Sequence, residues 1–448
     1  MKPEIEKMHQ KSVNGTFTSK IGFVLAAVGS AVGMGNIWMF PYRTGQYGGA
    51  AFLIPYLLFI ALFGYVGLSG EFAFGRLTGT GPIGSYEYAM KTRGKKGGAI
   101  LGAIPLFGSL GIAIGYSIIV GWVLRCAFGA LTGTLISTEP EIFFAQMSAT
   151  HLSSVPWHAI VVVMTVAILI FGVSGGIEKI NKVMMPAFFI LFLIIAVRVL
   201  FLPGALEGYK YLLVPQWEYL LNPHTWIMAM GQAFFSLSVT GSGMIIYGSY
   251  LSKKEDVVHS SCMTAVLDTC AAMLAGFAVI PSVFAFGLDP ASGPKLLFIT
   301  LPRVFQQMPL GRLFAFLFFI SVLFAGITSL ANMLEAVSEA AQTRLKLSRK
   351  VAVLVAGAAT LAVGLLIEQE ALMGRWMDII TIYVVPIGAI LGAVMIYWVL
   401  GVKTIKKELM EGRDKPLSPA YDFLAKYVYV FLAALVVICS FVIPGGIG

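Results

Sequence analysis

Runs of roughly 17–25 apolar residues, each long enough to cross a bilayer as a helix, recur along this chain, and nothing constrains its fold more. Eleven can be placed, at 21–45, 51–75, 98–129, 157–172, 182–202, 224–250, 259–287, 311–342, 350–367, 376–400 and 425–444. The fourth is short and the third and eighth are long, which leaves their limits loose by several residues. Only 12% of the 448 residues are charged, about half the share of a soluble chain. The expected fold is all-α and integral to the membrane: one bundle of 11 transmembrane helices, not two or three soluble domains.

Charge then orients the bundle. Of the 31 Lys and Arg residues, 23 fall on the side that holds the N-terminus and six on the other, with Arg43 and Arg125 within or at the ends of spans. Cytoplasmic loops carry the basic excess, so the N-terminus is expected inside and the C-terminus outside. The net charge of +9 thus needs no nucleic acid partner. The polar stretch Met1–Lys20 runs straight into the first span without a cleavage-site pattern, and no removed signal peptide is expected. Cys126, Cys262, Cys270 and Cys439 lie in apolar runs without CxxC spacing, which gives no disulfide framework and no zinc site. His9, His151, His158, His224 and His259 are scattered over loops and span ends. They show no nucleophile–base or metal-ligand spacing, so an enzyme is not expected.

Two spans resist a continuous-helix reading. The first holds Gly29-Ser30-Ala31-Val32-Gly33-Met34-Gly35-Asn36 at mid-depth, and the sixth holds Ser236-Leu237-Ser238-Val239-Thr240-Gly241-Ser242-Gly243. Glycines in membrane helices are most often packing contacts. Two matched breaks rich in hydroxyls and amides point instead to a midplane site, because interrupted helices persist in lipid only where the freed backbone groups are satisfied or line a cavity. Half-helix N-termini attract anions and unwound carbonyls coordinate cations. The breaks stand first in two successive runs of five spans. That placement predicts a 5+5 inverted repeat, residues 21–202 and 224–400, preceded by a cytoplasmic segment 1–20 and followed by a cytoplasmic loop and eleventh helix, 401–448.

The residues of these breaks also carry a resemblance. Ser19–Tyr42 (SKIGFVLAAVGSAVGMGNIWMFPY) resembles the first-helix signature of the neurotransmitter:sodium symporters, and Gly231–Gly243 (GQAFFSLSVTGSG) resembles their sixth helix. Tyr47–Tyr56 (YGGAAFLIPY), Glu71–Arg76 (EFAFGR) and Phe324–Ser329 (FAGITS) continue the match in order over essentially the whole chain. Eleven spans and short outer loops are similar to bacterial members, which implies a multi-pass protein of a bacterial cytoplasmic (inner) membrane.

The resemblance implies Na⁺-coupled transport by alternating access and two sodium sites, with no organic cofactor. The first would use the Ala31 carbonyl, Asn36, Ser236, Asp268 and the substrate carboxylate. The second would use the carbonyls of Gly29, Val32 and Ala325 with the hydroxyls of Thr328 and Ser329. Hydroxyls in lipid often bond their own helix, which is the plain alternative for Thr328 and Ser329. Asp268 replaces the family's usual Asn, and Ala272 stands where chloride-dependent members carry Ser, while Tyr56, Gln232 and Ser236 match other chloride-site positions. An intramembrane carboxylate is costly and signals function by default. Asp268 is expected to ligate Na⁺ and to supply the charge that chloride supplies elsewhere, which makes transport chloride-independent; its protonation is a second possibility for coupling.

The resemblance further places a substrate amine at the carbonyls of Ala31 and Phe235 and the oxygens of Ser236 and Ser238. The carboxylate would meet the amides of Met34 and Gly35 and the Tyr116 hydroxyl. Gly33 stands where monoamine carriers have Asp, which implies an α-amino acid that brings its own carboxylate. Ile112, Tyr116, Phe235, Ser238, Gly241, Ser329 and Met333 would line the side-chain pocket. Gly241 and Gly115 replace bulkier family residues, which predicts a large hydrophobic or aromatic amino acid. At the gates, Met39 and Asn14 replace family arginines, Phe17 replaces a Trp and Thr343 replaces an Asp. Asp378 keeps its identity without its partner, and Phe40, Tyr116 and Phe235 are expected to form an aromatic lid. Gly176 and Pro186 resemble a fifth-helix motif linked to unwinding. Glu71 is expected to accept the freed amides of the first helix. A proton-coupled permease or a transport-dead sensor of the same architecture are the other readings.

Overall fold

The computed structural model describes residues 15–149, 153–289 and 296–447; His9, Asn14 and His151 lie outside them. Among the described residues the fold is helical, with no strand. Helical residues coincide with each of the apolar runs. Among the described residues eight helices are long and apolar enough to cross a membrane, and a ninth unit is a pair of helices bent by 58°.

That pair is α1 (Lys20–Ala31) and α2 (Gly35–Gln46). Next come α3 (Ala50–Thr78), α4 (Pro82–Thr92), α5 (Gly98–Thr132), α6 (Val155–Ile170) and α7 (Val173–Leu200). The sixth span is in two pieces, α8 (Pro223–Ser236) and α9 (Gly243–Ser249). Then follow α10 (Val257–Ala285), α11 (Gly311–Arg344), α12 (Arg349–Leu366), α13 (Glu370–Met410) and α14 (Tyr421–Val442).

The differences from sequence have physical causes. At 41 residues, α13 is about 60 Å of helix, twice a hydrocarbon core of about 30 Å. Gly401, at φ +97°, breaks the path, so the apolar stretch ends near 400 and Val402–Met410 carries the basic Lys403, Lys406 and Lys407. The short helix α4 went unread because 11 residues with Glu87 and Lys91 carry no crossing signal. It packs on α5 and sends Tyr86, fully buried, toward the sixth-span break.

The broken helices sit among α3, α5, α7, α10 and α11. Small residues let them approach. A Cβ on Gly326 of α11 would meet Val120 of α5 at 2.8 Å, and one on Gly75 of α3 would meet the Ile245 carbonyl of α9 at 1.8 Å. Close contact of this kind holds helices together where lipid supplies no hydrophobic drive.

Candidate substrate and ion site

The first break is held open by specific partners. Val32 adopts an extended ψ of 116°, and the Gly33 amide donates to Asn36 Oδ1 (3.1 Å) instead of to Gly29 four residues back. The Met34 amide donates to the Tyr116 hydroxyl of α5 (3.2 Å), which keeps the hydroxyl's own proton for another acceptor. The Ser30 carbonyl accepts from Ser329 (3.1 Å) and Ser238 (3.4 Å), and the Gly35 carbonyl accepts from Gln232 (2.8 Å).

At the second break the backbone is strained. Ser238 sits at φ +52° and Gly241 at φ +76°. A side-chain residue in the left-handed region costs about 1–2 kcal/mol, and such strain concentrates at functional segments. The Gly241 amide donates to Glu71 Oε1 (2.7 Å). Glu71 therefore serves the sixth-span break and not, as expected from sequence, the amides of the first.

Between the breaks lies a cavity. Of the twelve residues expected at the substrate, Ala31, Gly33, Met34, Gly35, Ile112, Tyr116, Phe235, Ser238, Ser329 and Met333 line it. Ser30, Ser109, Thr240, Gly243 and Asn332 line it as well. Helical spacing would have found two of these: Ser109 precedes Ile112 by three positions, and Asn332 follows Ser329 by three, so each shares a face with a residue already named. The Phe235 carbonyl, expected at the amine, already accepts from the Ser238 amide (3.0 Å).

Ser236 belongs to a second cluster instead. Asn36 Nδ2 donates to Asp268 Oδ1 (2.8 Å), to the Asp268 carbonyl (3.2 Å) and to Ser236 Oγ (3.1 Å), and Ser236 donates to Asp268 Oδ2 (2.6 Å). Asp268 is fully buried, and among the described residues no Lys, Arg or His pairs with it. A buried carboxylate held only by neutral donors is short of compensating charge. Tyr56 and Gln232 are likewise fully buried, and Ala272 has no polar side chain to offer.

Residues of the other expected ion site also converge. Thr328 donates to the carbonyls of Phe324 (3.0 Å) and Ala325 (3.1 Å). This is the back-bonding alternative, yet it spends only the proton and leaves the oxygen lone pairs for a cation. The point a Gly29 Cβ would occupy lies 3.0 Å from Thr328 Cβ, so α1 and α11 touch here.

Two pocket arguments and one gating expectation need correction. A Cβ on Gly241 would meet the Gly388 carbonyl and the Tyr86 hydroxyl, both at 2.5 Å, so this glycine serves a tight turn and opens no room for substrate. A Cβ on Gly115 would meet Met377 Sδ at 2.4 Å, so a neighbour has filled the space an aromatic ring vacates. Gly241→Ala is accordingly expected to lower thermal stability by about 2 kcal/mol, from backbone strain and collision together, with little change in the selectivity of the folded fraction. A melting curve alongside competition uptake checks this. Phe40 packs against Tyr56 (5.0 Å between ring centroids) and Phe52 (6.4 Å), away from the cavity. Only Tyr116 and Phe235 remain of the expected aromatic lid.

Asp378 is exposed and pairs with no basic side chain among the described residues. The neighbouring Trp376 donates to the Gly111 carbonyl (2.7 Å), so Trp376 and Met377 cover α5 where a salt bridge was absent from the sequence. Gly176 lets α7 pass the Ile168 carbonyl, 1.9 Å from its would-be Cβ, and α7 runs on through Pro186.

Sequence reasoning missed several buried clusters of polar and charged side chains, those of Glu335 and His158 among them. Glu335 of α11 takes both nitrogens of Arg349 (2.9 and 2.8 Å) and the Tyr250 hydroxyl (2.6 Å). Phe17 packs on Tyr250 and Tyr247. One histidine has buried partners that the sequence did not reveal. His158 is fully buried between Glu368 Oε1 (2.6 Å) and Ser117 Oγ (2.8 Å), and Ser154 donates to the other Glu368 oxygen. Ser117, His158 and Glu368 come from distant positions, so no local spacing revealed them. None lines the cavity.

A family model described as the sodium:neurotransmitter symporter family matches residues 14–149 and 139–444. An uncharacterized sodium-dependent transporter of Bacillus subtilis, YhdH, is 34% identical over 95% of this chain and 96% of its own length. The sodium- and chloride-dependent taurine transporter of Rattus norvegicus is 29% identical over 73% of this chain and 60% of its own. Among solved structures, MhsT in complex with L-phenylalanine superposes with a TM-score of 0.85 at 33% identity, covering 95% of this chain and 99% of that one.

Proposed function

The chain is a member of the sodium:neurotransmitter symporter family, a family of transporters and not of enzymes, and we propose that it imports a hydrophobic L-amino acid, large or aromatic, by Na⁺-coupled alternating access without chloride. It is a multi-pass membrane protein of helical fold whose transport depends on sodium. The finer reading comprises eleven crossings in a 5+5 inverted repeat, the N-terminus in the cytoplasm of a bacterial cell and the C-terminus outside.

One observation carries the proposal: the fully buried Asp268 carboxylate, bound by Asn36 and Ser236 beside two interrupted helices. Its negative charge lies where a hard cation with oxygen ligands would be favoured. Na⁺ at this first site would be held by Asp268, Asn36, Ser236 and the Ala31 carbonyl. A second Na⁺ would be held by Gly29, Val32, Ala325, Thr328 and Ser329. With Gly33 lacking a side chain, the amino acid supplies its own carboxylate toward the Met34 and Gly35 amides and Tyr116. Ile112, Phe235 and Met333 line the cavity with apolar surface, and MhsT, at 33% identity, was crystallised with L-phenylalanine. Gly241 and Gly115 no longer support a large pocket.

Proteoliposomes test this. Under an inward Na⁺ gradient, labelled phenylalanine, tryptophan and leucine are expected to accumulate well above glycine and alanine, unchanged when gluconate replaces chloride. Loss of uptake in gluconate removes the role given to Asp268. Uptake of glycine or alanine alone removes the substrate class. Uptake driven by a pH gradient in K⁺, with none from Na⁺, leaves the proton-coupled permease.

A further inference from the structure

Where α1 lies against α7, two glycines of α1 give way to polar side chains. Glu178 Oε1 lies 2.1 Å from the point a Gly22 Cβ would occupy, and Asn181 Oδ1 lies 1.9 Å from the corresponding point on Gly29. Residues 22 and 29 are two turns apart on one helix face, so α7 reads α1 through these two contacts.

The two side chains differ in one respect. Glu178 is saturated, accepting from the Thr18 amide (2.7 Å), the Thr18 hydroxyl (2.7 Å), Ser19 (2.9 Å) and Lys182 (2.7 Å). Asn181 is only half used. Its Nδ2 donates to the Ile177 carbonyl (2.8 Å), while Oδ1, on a side chain 1% exposed, has no hydrogen-bond partner. A buried amide oxygen without a donor has lost its hydration with no return, and such a group in a native fold calls for a reason.

Its position supplies one. The same Gly29 point that lies 1.9 Å from Asn181 Oδ1 lies 3.0 Å from Thr328 Cβ. The oxygen therefore lies against Gly29, beside its contact with Thr328, two residues of the second sodium site proposed above. We propose that Asn181 Oδ1 is a further oxygen ligand for Na⁺ at that site, contributed by α7. The inference rests on the second-site reading and adds a helix to it.

The test uses the purified full-length protein without substrate, reading the Na⁺ concentration for half-maximal thermal stabilisation and ²²Na⁺ binding directly. Asn181→Leu, which keeps size and removes the oxygen, is expected to raise that concentration about tenfold, with phenylalanine binding at saturating Na⁺ unchanged. Asn181→Asp is expected to lower it. Thr328→Val serves as the marker of the site itself. Weakened Na⁺ binding in Thr328→Val with wild-type behaviour in Asn181→Leu overturns the ligand role and leaves the site standing. Wild-type behaviour in Thr328→Val removes the second site and this proposal with it. Should Asn181→Leu fail to fold, Asn181→Asp decides, and an unchanged Na⁺ dependence there overturns the ligand role.

Discussion

Asp268→Asn is expected to weaken Na⁺ binding on the order of a hundredfold and to abolish concentrative uptake in chloride-free buffer. The arithmetic starts from two unit charges about 3 Å apart, which interact by about 5 kcal/mol at an effective dielectric of about 20. Rearrangement of Asn36 and Ser236 around a neutral amide recovers part of this, leaving about 3 kcal/mol, or roughly two decades in affinity. The fold itself should tolerate the change, because an asparagine oxygen can still accept from Asn36 while the Ser236 hydroxyl turns to accept from the asparagine NH2. The direction with anions is the sharper check. A site that has lost its internal negative charge gains from an external one, so chloride is expected to restore part of the variant's Na⁺ binding while leaving the native protein indifferent. Isothermal Na⁺ titrations in chloride and in gluconate decide this, and a variant equally weak in both removes the charge-substitution argument.

Glu335→Gln should act on the contact between the broken sixth span and α11–α12. The native carboxylate takes a bidentate Arg349 and the Tyr250 hydroxyl, and Glu335 is fully buried. Removing one partner of a buried pair costs about 3–5 kcal/mol, chiefly because the other charge is stranded. Tyr250 follows α9, the second half of the broken sixth span, and Phe17 bears on the same ring. The lost energy therefore falls on the contact between the broken helices and α11–α12. The expected result is a shift toward the state open at that contact. It would be read as at least tenfold faster labelling of a cysteine placed at Ser30, in a background lacking the four native cysteines. Tyr250→Phe, which spares the ion pair, should shift labelling in the same direction by less. Unchanged labelling in Glu335→Gln would make the cluster a static brace. The absence of a family-type pair at Thr343 is thus compensated two helical turns earlier: Thr343 merely bonds its own helix, to Glu339 (3.0 Å).

Spans and breaks were readable in sequence because each is a local property: about twenty apolar residues, or glycines and hydroxyls where a helix should continue. Contacts between distant segments were not. Gly241 looked like a space beside substrate because a one-dimensional match cannot tell which way a missing Cβ points; the fold aims it at Tyr86 and Gly388. Glu71 was rightly singled out as a buried acceptor of break amides, yet the amide it meets belongs to Gly241, 170 residues onward. Glu335, Glu368 and Asn181 were open to the same argument that found Asp268, that a polar group inside an apolar run needs a partner. That rule was applied to too few residues. Asn332 and Ser109 fell to the same economy, since one helical step from a named neighbour reaches each.

If the cover that Trp376 and Met377 lay over α5 closes the outer entrance of the carrier proposed above, it has a consequence for where such a protein can work. Trp376 is tied to a backbone carbonyl and Met377 fills the hollow at Gly115, with no ion pair among them. Salt bridges at a surface soften as ionic strength rises, whereas a ring and a thioether seated on glycine do not. The sodium concentration outside a cell is both the fuel for uptake and the main contributor to salinity at the entrance. A door made without charges separates those two roles, so more sodium strengthens the drive without loosening the closure that the drive depends on.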